Sequence, residues 1–542
     1  MLWEAFCNLP LPFIICLAVS AFVLCWRLWA FTIKPSIWTC LPRELPYWTP
    51  LEGHSVEFFR NSERLIERGL NYSGRTYEPF ALQLLGIKIY IITAPKDITA
   101  VFSNTTSLTF DGNLKQLLAN FGVTRQAFEK AWHNPQPGDW CYIPNNKLNP
   151  AQLNLIHFVE ESYRKQLLPG EHMDRLSEAF INPLLDTLNM DALDFYLGPT
   201  HEDVGIQSGL FNEPVGGPLR LTSLYSLCRV FIVEAATRSL FGQHLHDIEP
   251  DIVDLMTEFN ENAWMVAFGY PKILSSAVSG VKQKVMTALA KFILLPEEKR
   301  TQEAWVVKTI LAAMELVDID IESRAAMLLM SFWAAISNEY NTVFWVLSYL
   351  LYDPNLFEQV KTETEAAWRS DDGKPDIKSL CANSPHLESV LNETLRIKNS
   401  AGALRVVVEE TQVGTKTLQA GNAILIPFRQ LHSNRNVWGP SVDEFDPYRF
   451  LKRRSLARHP SFRPFGGGGT LCPGRTLAKE QVFGFIAILL HRFDVKLAAG
   501  PETQQQQQPF PRLNDLAPSL GIGRPVKGMD VMVYLADSQR GC

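Results

Sequence analysis

FRPFGGGGTLCPGRTLAKEQ, residues 462–481, sets four consecutive glycines three residues ahead of one cysteine, with a helix-forming run behind it. Glycine removes side-chain bulk, so a flat molecule can lie against this backbone. Pro473 suits the first turn of a helix, which would put Cys472 at a helix N-terminus, where the dipole and free N–H groups favour a thiolate. Arg475 adds a positive neighbour. Two other readings compete. A phosphate loop wants a Gly-Lys-Ser/Thr ending, or G-x-G-x-x-G after a strand. Here the lysine is missing, and Arg-Pro-Phe precedes the glycines. The second alternative is a structural glycine turn with an incidental cysteine.

The rest of the chain narrows the choice. Its 542 residues are 46% hydrophobic and 20% charged, which describes a folded protein with a large core. A net charge of −6 offers no basic excess for nucleic acid. The nine cysteines show no CxxC and no paired spacing, so neither a disulfide scaffold nor a zinc site is indicated. Leu9 to Trp26 carries no charge, Glu4 precedes it, and Arg27, Lys34 and Arg43 follow. That asymmetry predicts a membrane anchor over residues 1–34 with the body in the cytosol, rather than a cleaved signal peptide. Pro35, Pro42, Pro46 and Pro50 mark residues 35–54 as a semi-rigid hinge, leaving 55–542 as the main body.

Within that body, ALQLLGIKIYIITAP (81–95) reads as a strand pair. A long helix is predicted from Ile321 to Tyr352, begun by acidic residues and stopped by Asp353-Pro354. It is apolar almost all round apart from SNEYN, and so should cross a core; a second membrane span would bury Glu339 at high cost. Another helix starts at Ser384-Pro385. ALRVVVEETQVG and NAILIPF alternate like short strands, and Gln504 to Gln508 reads as an exposed loop.

The cysteine loop resembles the haem-binding signature of the cytochrome P450 superfamily, which runs Phe, two residues, Gly, one, Arg or His, one, Cys, one, Gly. Phe465, Gly468, Cys472 and Gly474 fall on it, while Thr470 stands where the family usually has a basic residue on a haem propionate. Glu393 and Arg396 match the family's E-x-x-R helix, and Arg449 in FDPYRF matches the arginine that completes its network. Alone, Glu393 and Arg396 read equally as a surface i,i+3 pair. Arg405 falls where the family often places a propionate contact. The resemblance implies a mainly α fold with a smaller β region, the triangular helical prism of the P450s, plus an N-terminal transmembrane helix. It implies haem b, with the Cys472 thiolate on the iron, where sulfur donation favours O–O cleavage.

The family's central helix usually carries Ala/Gly-Gly-x-Asp/Glu-Thr over the haem. The matching stretch is Ala334-Ala335-Ile336-Ser337-Asn338, so Ser337 and Asn338 take the catalytic acid and alcohol positions. Asparagine can hold water but is no useful proton donor. Glu339 lies one residue on, about 100° around the helix, and is expected to face away. Asn338 and Thr470 resemble the branch holding bile-acid sterol hydroxylases and prostacyclin synthase; similar proteins are frequent among fungal tailoring enzymes. By resemblance, Trp333, Ile336, Leu404 and Leu520 line an apolar substrate pocket, suiting a sterol, terpenoid or other lipid-like molecule.

These readings lead to a haem-thiolate monooxygenase of sterol or secondary metabolism, single-pass in the endoplasmic reticulum membrane. The alternatives are a haem-thiolate isomerase or dehydratase working without NADPH, and a haem sensor without turnover. Between Pro447 and Lys479 there is no acidic residue but eight Arg and Lys. Such a face would steer an acidic partner, NADPH-cytochrome P450 reductase, with cytochrome b5 as a second donor.

Overall fold

The apolar run from Phe80 to Ile91 turns at Leu85-Gly86, both at positive φ, and pairs antiparallel with itself as Phe80–Leu84 against Ile87–Ile91. The computed structural model describes residues 10–50, 52–198, 219–368, 373–498, 508–515 and 520–538. In it this hairpin belongs to a six-stranded sheet. The spatial order is Arg43–Glu44, Phe80–Leu84, Ile87–Ile91, Ala423–Pro427, Gly402–Val407, Leu108–Thr109. The last two long strands are those expected from NAILIPF and ALRVV, with Arg405 opposite Ile424. Leu219–Ser223, Met532–Asp537 and Phe493–Leu497 form a separate antiparallel sheet. Helices make up most of the remainder, so the chain is mainly α with a smaller β region.

The central helix differs from its predicted form. It is two helices, Ile321–Ile336 and Glu339–Leu351, interrupted at Ser337 and Asn338. Asp320 caps the start, accepting from Ser323 N–H at 2.8 Å. The interruption has a distant cause. Asn338 Oδ1 accepts the Ile522 N–H at 2.7 Å. A Cβ on Gly521 would lie 1.6 Å from that oxygen, so only glycine lets the two segments meet. Serine and asparagine hold a helix interior weakly, so the outside contact wins. Phe332, Ile336 and Val343 to Leu347 are wholly buried, so both halves cross the protein core and the second-span reading is set aside.

The helix Pro385–Lys398 begins at Ser384 as expected, but the serine hydroxyl makes no cap bond. The Glu363 carboxylate takes that role, accepting from His386 N–H at 3.0 Å and Leu387 N–H at 3.1 Å. The N-terminal helix continues through Pro35 to Ile37, past the expected boundary at 34. Pro12–Ile37 is long and apolar enough to cross a membrane, and none of it is buried within the protein. Arg27 donates to the Tyr47 carbonyl and lies 3.8 Å from the Trp48 ring, so the proline-rich hinge folds back on this helix. Gln504 to Gln507 lie outside the described residues. Gln508, expected in an exposed loop, is buried; its amide donates to Ala498 O at 2.9 Å and Met532 O at 2.6 Å.

Candidate functional site

The cysteine loop is shaped by tight backbone approaches. Cys472 N–H donates to Phe465 O at 2.9 Å, closing the loop on itself. Gly468 has φ +62°, and a Cβ there would stand 2.6 Å from the Phe102 carbonyl oxygen. At Gly467 a Cβ would lie 2.6 Å from an Arg463 nitrogen and 3.0 Å from the Phe102 ring. These two glycines are therefore dictated by packing on the helix Pro95–Ser103, while Gly469 faces open space. The low-bulk reading of the whole run is corrected to that extent. Pro473 is also relocated. The following helix is Arg475–Arg492 with Gly474 at its cap, so Pro473 lies in the turn before it. Gly474 N–H donates to the Cys472 sulfur, a bond not foreseen from the sequence.

Cys472 carries open surface, yet burial raises its thiol pKa, against the lowering effect of the Gly474 N–H and Arg475. Ala334, in the central helix between buried Phe332 and Ile336, is likewise exposed. Glu339, from the same helix pair, is near enough to raise the Cys472 thiol through its charge. A soft sulfur donor on one side and a helix with small residues on the other fit a haem, with Cys472 as the residue to hold its iron.

Behind the loop lies a desolvated ionic network. Arg396 grips Glu393 with two bonds of 2.8 and 2.7 Å, and Arg449 Nε adds a third at 3.0 Å. Glu393 is 0% and Arg396 2% exposed, so the surface-pair reading is excluded. The arginines' remaining donors reach His432 O, Val442 O, Trp438 O and Ser441 O at 2.7–3.0 Å. His432 carries this order onward: its Nε2 accepts the Arg463 N–H at 3.1 Å. Burial and the adjacent Arg396 depress its pKa to about 3, so the ring stays neutral and able to accept. Asn399 adds a direct strut, donating to Pro464 O at 3.0 Å. Neither His432 nor Asn399 stood out in the sequence.

Arg405 donates to Thr470 Oγ1 at 2.6 Å, so the residue that departs from the signature is bonded to the expected propionate arginine. Its guanidinium also lies 5.2 Å from the Phe102 ring.

At the break in the central helix the residues divide. Trp333, Ser337, Asn338 and Leu520 line one cleft of about 90 Å³, together with Asn260 and Arg524. Trp333 Nε1 donates to Asn260 Oδ1 at 2.8 Å. Ile336 is 0% exposed inside the helical core, so its expected place in a pocket wall is corrected. Leu404 lies in the sheet opposite Leu425, away from this cleft. Ser519 lies outside the described residues.

The basic stretch divides too. Arg449 belongs to the buried network, Arg463 donates to Pro460 O and Thr99, and Lys479 pairs with Glu388. Lys452, Arg453, Arg454, Arg458 and Arg475 are exposed.

Comparison with known proteins agrees with this geometry. The family model described as Cytochrome P450 matches residues 229–517. The cytochrome P450 monooxygenase poxD of Penicillium oxalicum is 23% identical over 84% of this chain and 88% of its own length. A bifunctional cytochrome P450/NADPH–P450 reductase of Gibberella moniliformis is 32% identical over 27% of this chain and 13% of its own. Among solved structures, retinoic acid-bound cyanobacterial CYP120A1 aligns with a TM-score of 0.61. It is 17% identical, covering 92% of this chain and 99% of that one.

Proposed function

The chain belongs to the cytochrome P450 family, and from that premise we propose that it oxidises a bulky, apolar, lipid-like substrate in sterol or secondary metabolism. The general activity is that of a haem-thiolate monooxygenase. When bound, the haem supplies dioxygen activation, by which one oxygen atom enters a C–H bond.

The chain's own residues have these proposed tasks. Cys472 holds the iron, with Gly474 N–H donating to the sulfur and moderating its basicity. Phe465 and Gly468 fix the loop, while Arg405, braced by Thr470, takes a propionate. Glu393, Arg396 and Arg449 keep the loop in register through His432 and Asn399. Ser337 and Asn338 bring polar groups to the break, and Trp333 and Leu520 supply apolar wall in the same cleft. The single observation that carries the proposal is Cys472, an exposed residue whose thiol is desolvated and within electrostatic reach of Glu339 of the central helix.

For the rest of the molecule we assign residues 1–34 to an anchor, 35–54 to a hinge and 55–542 to the catalytic body. The reading puts the protein in the endoplasmic reticulum membrane, single-pass, with the body cytosolic. The P450 family generally uses a reductase, and we assign the exposed basic residues from Lys452 to Arg475 to its docking.

The test is to supply reductase, NADPH and labelled dioxygen with a panel of sterols and terpenoids. Products that gain one labelled oxygen support the reading. Conversion that proceeds equally without NADPH and O₂ would establish the isomerase alternative instead.

A further inference from the structure

Glu339 opens the second half of the central helix, directly after the two-residue break. Its Oε2 is buried and has no hydrogen-bond partner among the described residues. An unpaired carboxyl oxygen inside a protein costs on the order of 1–3 kcal/mol, so such groups call for a reason. Although rotation about the helix suggested that it faces away, Glu339 acts electrostatically on Cys472. It therefore lies within electrostatic reach of the thiol that would hold the iron. Ser337 and Asn338, which occupy the family's acid and alcohol positions, instead line the cleft of Asn260 and Arg524. The break thus joins two features: a cleft lined by Ser337 and Asn338, and the half-buried acid Glu339, which does not line it.

We propose that Glu339, displaced two residues along the helix from the usual acid position, is the proton-holding acid of the oxygen-reducing site. The proposal rests on the haem-thiolate reading of Cys472. Insertion of one atom of O₂ into a C–H bond consumes two electrons, from NADPH through a flavoprotein reductase, and two protons; the second oxygen atom leaves as water. A proton lost from Glu339 Oε2 is replaced from solvent, so the carboxyl is unchanged over a turnover. Two features suit this cycle. Burial, the sole cause acting, raises the pKa to about 8, so the acid carries its proton at neutral pH. Its place in the first turn of a helix lowers the cost of the anion left behind. Asn338, whose Oδ1 is occupied by Ile522 N–H, holds the break open and has no proton to give.

The test needs no substrate. Infrared spectra of the ferrous–CO holoenzyme are recorded across pH for the wild type, Glu339→Gln and Glu339→Asp. The expected result is a C–O stretch that shifts with a midpoint near pH 8 in the wild type. The shift is absent in Glu339→Gln and retained, with a moved midpoint, in Glu339→Asp. A protonated-carboxyl band sensitive to deuterium, present in the wild type and lost in Glu339→Gln, is the second signature. A pH-independent stretch in the wild type, or the same titration in Glu339→Gln, would overturn the proposal. If Glu339→Gln fails to take up haem, the wild-type and Glu339→Asp spectra still decide. The red-shifted Soret band of the same samples reports on Cys472 separately, so failure of the haem-thiolate reading is distinguishable.

Discussion

Pro473 has no N–H, so the backbone donor found at the Cys472 sulfur is that of Gly474. Pro473→Ala adds a potential donor beside the sulfur and should withdraw electron density from the iron, raising its reduction potential. A redox titration that finds no shift would contradict this. Glu339 makes a second prediction at the same scale. Below its ordinary value near 4.5 the carboxyl is protonated in both folded and unfolded chains. Between there and about 8 the folded protein keeps a proton that the unfolded chain has lost. Stability from this group therefore falls as pH rises through that window. Melting temperatures of Glu339→Gln should gain on the wild type from pH 5 to 8; parallel curves would refute the assignment.

At the scale of elements, the loop is held by a network that needs all its members. Glu393→Gln would leave Arg396 and Arg449 buried without their carboxylate, at a cost of about 3–5 kcal/mol. The expected outcome is a lower melting temperature and weaker haem retention, read from thermal denaturation and Soret absorbance. A stable, fully haem-loaded variant would show that the network does not position the loop. The sequence made the pair visible through its i,i+3 spacing, but not its burial. That depends on carbonyls at 432 to 444, brought in by a separate segment. The break at 337–338 was hidden for the same reason. Local periodicity favours one continuous helix, and the group that interrupts it lies 184 residues away in sequence. Glycine bulk was legible as well, yet the role of Gly468 came only from the Phe102 backbone it meets.

Across the whole molecule, charge and apolarity divide the labour. The exposed Lys452, Arg453, Arg454, Arg458 and Arg475 should draw an acidic reductase over distances that salt screens. NADPH-driven reduction should therefore slow as ionic strength rises, and more weakly so in Arg453→Glu/Arg454→Glu. A salt-independent rate would exclude steering. Removal of residues 1–37 should move the protein from the membrane to the soluble fraction on sedimentation, with the haem spectrum retained. The central claim is that Cys472 holds haem iron as a thiolate, and the ferrous–CO difference spectrum tests it most directly. The wild type should give the strongly red-shifted Soret band of thiolate ligation, and Cys472→Ala should lose it. A wild type without the shift, or a Cys472→Ala variant that keeps it, would contradict the account.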